Sequence, residues 1–180
     1  MKRIDALKKA EEIAKKLKIL APLFDDLKIF EIILFGSTTR KCDDEFVDDV
    51  DLLIIDNGVL SSTFLIKIDD DEDYYYYLRD NINFFAQMLF EDDLLKLTDE
   101  QDGFAYDLFN ENYVDLHVLP LKFFRNKNYR EEVKKRHHDP MFFQNLFSTA
   151  MRWRIRKQFV PTDVSYFERK YKVRLQDLKK

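Results

Sequence analysis

The sequence predicts an α/β or α+β fold: a mixed β-sheet packed on helices, with a short helical extension at its C-terminus. Three observations predict it. Short β-branched and aromatic runs at Ile29–Phe35 and Val50–Ile55 read as buried strands. Apolar residues at Ile4, Leu7, Ala10, Ile13, Ala14, Leu17 and Leu20 recur at the 3-4 spacing of an amphipathic helix. The length of 180 residues, 46% of them hydrophobic and with 17 Phe and 9 Tyr, suits one core and excludes a disordered chain.

The elements follow in order. The first helix covers 2–20 and ends or breaks at Pro22. The first strand stops at Gly36-Ser37, and the second covers Val50 to Ile55. Asp69 to Asp73 places five like charges side by side, followed by Tyr74 to Tyr77; mutual repulsion predicts an exposed loop. That tract lacks the glycine and terminal glutamate of an EF-hand. Phe104 to Phe109 and Tyr113 to Leu119 read as a hairpin around Asn110-Glu111-Asn112. Residues 122–157 read as mostly helical with a break at Pro140, because proline cannot continue a helix. Another short helix is expected after Pro161. The expected division is a catalytic-type domain over 1–121 and a short helical region over 122–180.

Composition removes several function classes. No apolar run approaches the roughly 18 residues of a membrane span, and the charged N-terminus lacks the apolar stretch of a signal peptide. A single cysteine, Cys42, makes no intrachain disulfide, and nothing offers a zinc-type cluster. A soluble cytoplasmic domain is expected. The net charge of -4 conceals a segregation. Residues 1–40 carry nine basic and six acidic residues, 41–115 carry four and 22, and 116–180 carry 17 and six. The acidic centre argues against nucleic acid as a partner and suits a metal ion or a cationic substrate.

Glycine is scarce, so Gly36 at the end of a buried strand is informative: a Gly-Ser turn lets backbone approach a ligand, and a helix starting there offers N–H groups to phosphate. Twelve residues beyond Ser37 comes Asp49-Val50-Asp51. In a strand, residues two apart share a face, so Asp49 and Asp51 point together while Val50, Leu52 and Ile54 face the core. Two such carboxylates repel without a cation, and magnesium takes oxygen ligands and bridges phosphates. Asp115 supplies a third carboxylate on an apolar strand. Three carboxylates on one surface suit a two-metal site for in-line phosphoryl transfer.

Phe35-Gly36-Ser37, then Asp49-Val50-Asp51, then Asp115 resembles the polymerase-β-like nucleotidyltransferase superfamily. Within it the chain looks most like bacterial aminoglycoside 6-adenylyltransferases, through Asp44 to Asp51 and through Asp102-Gly103-Phe104-Ala105-Tyr106 on to Pro120. The resemblance covers about residues 29–125. It implies a nucleotidyltransferase core, with Gly36, Ser37 and Arg40 on the nucleotide phosphates and Asp49, Asp51 and Asp115 as magnesium ligands, Asp115 being a ligand or the general base. Thr38 stands where relatives often carry a basic residue. The implied reaction transfers AMP from ATP, with Mg2+, to a hydroxyl of a small molecule such as an aminoglycoside, releasing pyrophosphate. Two alternatives stay open: adenylylation of a partner protein, as in minimal toxin–antitoxin nucleotidyltransferases, and a non-catalytic nucleotide-binding module of the same fold. Neither membrane nor nucleic acid is an expected partner, and a homo-oligomer is compatible with the reading.

Other candidates have plainer readings. His117 shares a strand face with Asp115 and can meet an acceptor, or serve structurally. Lys122 and Arg125 read as a solvated helix face beside the site, and His137-His138 as surface residues. In Arg152-Trp153-Arg154-Ile155-Arg156-Lys157 the arginines are expected in solvent and Trp153 inward, with binding of an anion or stacking on a base as the sharper alternative. Cys42 has no partner to make it a nucleophile.

Overall fold

Continuous apolar runs such as Ile32-Ile33-Leu34-Phe35 and Leu52-Leu53-Ile54-Ile55 can be stable only in strands buried on both faces, and this dictates the layering. The computed structural model describes residues 1–23, 26–60, 109–111, 114–137, 139–154, 158–163 and 165–180. Strand β1 (Ile29–Phe35) pairs antiparallel with β2 (Val50–Asp56), placing Phe35 opposite Asp51. The short β3 (Phe109–Glu111) lies antiparallel to β4 (Val114–Pro120), which in turn runs parallel to β2. On the far side β5 (Met151–Arg154) pairs with β1, and β6 (Gln158–Pro161) pairs with β5. The result is a mixed sheet of order β3-β4-β2-β1-β5-β6.

One face takes Ile32, Leu34, Val50, Leu52, Ile54, Val114, Leu116 and Val118. It is covered by α1 (Arg3–Leu20), whose Ala6, Ala10, Ile13, Ala14 and Leu17 form the buried stripe that the periodicity predicts. A 3-10 turn over Ala21–Leu23 follows, where Pro22 was expected to stop the helix. The other face takes Ile33, Phe35, Leu53, Ile55 and Leu119. Its cover comes from α3 (Lys122–Arg125), α4 (Lys127–Arg136), α5 (Phe142–Thr149), α6 (Tyr166–Tyr171) and α7 (Leu175–Lys179), largely through stacked rings such as Phe123 on Phe143 and Phe124 on Tyr171. A single turn, α2 (Ser37–Arg40), follows β1. Among the described residues no helix is long and apolar enough to cross a membrane.

The structure departs from the sequence reading in four places, one being Arg152, which was expected in solvent and instead lies half-buried against the Glu31 carboxylate. Residues 151–154 form a strand, not the end of a helix, so the region after 121 adds β5 and β6 to the same sheet as well as covering its second face. Four residues carry too little periodicity to declare a strand; pairing with the edge of β1 decides it. The hairpin is present, but Asn110 and Glu111 belong to β3, with Glu111 opposite Val114; 104–108 and 112–113 lie outside the described residues. His137 is buried and stacks on Phe142 at 4.2 Å between centroids, because the chain turns there between α4 and α5. The acidic tract 69–73, with Tyr74 to Tyr77, also lies outside the described residues, as does His138.

One buried acid ties the C-terminal helices to the sheet. Glu31 of β1 accepts hydrogen bonds from the hydroxyls of Tyr166 and Tyr171, the latter at 2.5 Å, and from Lys170 at 3.2 Å. Arg152 of β5 pairs with the same carboxylate at 3.3 Å and lies 3.4 Å from the centroid of the Tyr166 ring. Removing one member of such a cluster strands the others. Glu31→Ala is expected to cost about 3 kcal/mol, lowering Tm in a thermal melt by about 6–12 °C, with Glu31→Gln losing less because an acceptor remains.

Burial, and then the charge of Glu31, push the Tyr171 hydroxyl far above its ordinary value. The unfolded chain therefore releases that proton first. The associated stability is complete below the ordinary tyrosine value of 10.0 and is lost as pH rises above it. Urea denaturation at several pH values should show this alkaline loss, at about 1.4 kcal/mol per pH unit for the one group, and Tyr171→Phe should make it shallower.

Candidate functional site

The site begins with register. Parallel pairing of β2 and β4 sets Asp51 directly opposite Asp115, and Leu53 opposite His117. Neighbouring strands are about 4.8 Å apart, so the two carboxylates on one face stand side by side. Asp51, Asp115 and His117 each offer a ligand atom, and the three atoms lie within 4.8 Å of one another. Nε2 of His117 is 3.8 Å from Oδ1 of Asp51. Both carboxylates are half-buried, and His117 is buried against the rings of Phe35 and Phe142, with centroids at 5.4 and 5.0 Å.

Gly36 explains itself here. Its φ is +78°, in the region side chains avoid, and a Cβ built on it would overlap Oδ2 of Asp51 and stand 3.2 Å from that residue's Cγ. The backbone conformation thus calls for glycine, and a side chain there would also push the Asp51 carboxylate aside. The Gly36 N–H donates to Oγ1 of Thr149 at 2.9 Å, and Thr149 donates in turn to the carbonyl of Asn145. This internal bond from Gly36 docks α5 onto the end of β1. Ser37 does open a helical turn, as expected, and its Oγ is buried with no hydrogen-bond partner among the described residues. Arg40 is exposed at the end of that turn.

Asp49 precedes β2 by one residue and is half-buried. The three clustered ligand atoms belong to Asp51, Asp115 and His117, and Asp49 stands close enough to feel the charges of Asp51 and His117. The strand geometry that pairs residues two apart does not reach back to Asp49, which sits in the loop. Its carbonyl accepts from Oγ1 of buried Thr38 at 3.1 Å. That bond, with Arg3 Nε donating to the Thr38 carbonyl at 2.9 Å, gives Thr38 a structural task. Burial first, then the negative charges of Asp51 and Asp48, push the Asp49 carboxyl above its ordinary value, with His117 opposing.

This donor set fits a divalent cation. Carboxylates crowded together at a partly buried point repel one another, and a cation relieves the repulsion. Two carboxylates suit magnesium or manganese, and the added imidazole favours the softer of such ions. Lys122 and Arg125 are exposed, Lys122 lying over the Tyr129 ring at 4.9 Å. Cys42 is exposed, and hydrogen bonding and charge from Glu45 push its thiol up, away from nucleophilic use. His117 was legible as a candidate from its alternation with Asp115, but only the pairing of β4 with β2 brings it to Asp51.

No family model, curated protein or solved structure matches the chain.

Gly36→Ala tests the steric account. The backbone at φ +78° and ψ -148° is nearly confined to glycine and costs an ordinary residue about 1–3 kcal/mol, and the new methyl must displace Asp51. Manganese titration followed by electron paramagnetic resonance should show affinity reduced about tenfold or more, and an unchanged affinity would refute the account.

Proposed function

We propose that the chain is a metal-dependent nucleotidyltransferase that moves a nucleoside monophosphate, AMP from ATP, to a hydroxyl of a small-molecule acceptor. The observation that carries this reading is the in-register placement of Asp51 beside Asp115, at the foot of a Gly-Ser turn that leaves room for the Asp51 carboxylate. The sequence resemblance to polymerase-β-like nucleotidyltransferases supports it, and an aminoglycoside is the acceptor that resemblance favours.

In this reading Asp51 and Asp115 hold magnesium, with Asp49 and His117 at its margin. Bound magnesium would neutralise the triphosphate and favour attack at its α-phosphorus. The chain's own contributions are positional. Asp115 orients the acceptor hydroxyl and takes its proton as the new O–P bond forms and pyrophosphate leaves. Phe35 and Phe142 form an apolar wall that holds the His117 ring beside the carboxylates. Thr149, through Gly36, keeps the end of β1 against α5.

The test is mass-spectrometric. The protein is incubated with ATP, magnesium, an aminoglycoside pool and cell lysate, and products are searched for AMP adducts. The expected result is an adduct on a small-molecule hydroxyl, reduced at least about 100-fold in Asp51→Asn with thermal stability retained. An adduct on one protein would move the acceptor to a macromolecular partner. Magnesium-dependent ATP binding without any adduct would favour a nucleotide-binding module, and full activity in Asp51→Asn would overturn the reading.

A further inference from the structure

Strand β1 has a second end with the opposite character. β5 pairs with it only through Arg152 opposite Ile33 and Met151 opposite Leu34; beyond Ile33 the two strands part. The gap is a groove of about 680 Å³ between β1, β5 and the C-terminal half of α1. That volume lies within the range of small-molecule sites.

Its floor and walls are apolar: Ile19, Phe30, Ile32 and Trp153. Ile19 is 69% and Phe30 42% exposed, large apolar surface that folding leaves in water. The indole of Trp153 is braced edge-on against Phe159 at 5.1 Å, which presets its position. The rim is basic, with Lys15, Lys18, Arg152 and Lys170 against a single acid, Glu31. Glu31 is already engaged by Arg152, Lys170 and two tyrosine hydroxyls. Lys15 and Lys18 form no ion pair among the described residues and stand one helical turn apart on an exposed face of α1. The lining therefore carries an excess of positive charge over a flat aromatic surface.

We propose that this groove binds an organic anion with a flat apolar body, an aryl carboxylate, sulfonate or phosphate. The ring lies against Trp153 and Phe30, and the anionic group meets Lys15 and Lys18. The site is separate from the carboxylate cluster: Asp51 faces Phe35, five residues further along β1 than Phe30, or roughly 16 Å of strand. Without a bound cation the two sites carry opposite charge: carboxylates at one, lysines at the other.

Trp153 is the only tryptophan in the chain, so its emission arises beside this groove, and the Lys15/Lys18 variant localises the probe that quenches it. The full chain is titrated with 8-anilinonaphthalene-1-sulfonate, and separately with its uncharged analogue N-phenyl-1-naphthylamine. Saturable quenching of Trp153 by the sulfonate is expected, with the neutral analogue binding about tenfold or more weakly. The charge-reversed variant Lys15→Glu/Lys18→Glu alters only exposed helix positions and should weaken sulfonate binding by a similar factor, with its circular dichroism unchanged. Asp51→Asn should leave the titration as it is, which separates this site from the proposed catalytic one. Unsaturable quenching, equal affinity for the neutral analogue, or equal affinity in the charge-reversed variant would each overturn the proposal.

Discussion

The parallel, in-register pairing of β2 with β4 is the constraint on which the rest depends. It forces two carboxylates together at the N-terminal ends of central strands, an arrangement that is electrostatically unfavourable without a cation. The remainder of both strands compensates. Leu52 through Ile55 and Leu116 through Leu119 are buried, and every one of those positions sits on a sheet covered on both faces. Slipping the register by one residue would drive the carboxylates into the alanine-lined face of α1, so the hydrophobic pattern and the charged pair enforce the same alignment.

Gly36 and Thr149 carry that constraint outward. The absence of a side chain at Gly36 gives the Asp51 carboxylate its space, and the N–H of the same residue binds the Thr149 hydroxyl at the end of α5. The packing of Phe142, on the first turn of α5, against both Phe35 and His117 completes the link. The C-terminal helices are thus part of the site's construction. At the opposite end of β1, Glu31 fastens the same helical layer through α6. One strand therefore joins an acidic end, built from its antiparallel partner β2, to a basic end built from β5 and α6.

The parts of the fold legible in the sequence were those whose signal is local. The alanine and isoleucine stripe of α1 and the apolar runs of β1 and β2 appear within their expected limits, because each carries its own periodicity or length. β5 was not legible: Met151-Arg152-Trp153-Arg154 alternates faces, Met151 and Trp153 against one core and Arg152 towards Glu31, but four residues also fit a helical turn. His137 was misread for a similar reason, since its burial depends on Phe142 folding back over it.

By itself the sequence determined the layer type, the half-buried carboxylate strands and the importance of a glycine at position 36. These follow from side-chain chemistry and short-range spacing. Only the tertiary structure decided that His117 joins Asp51 and Asp115, that the Gly36 N–H donates to Thr149, and that a basic aromatic groove opens where β5 leaves β1. Strand order and register are contacts between distant residues. No local pattern encodes which strand lies beside which, and a site assembled across strands becomes visible only once they are paired.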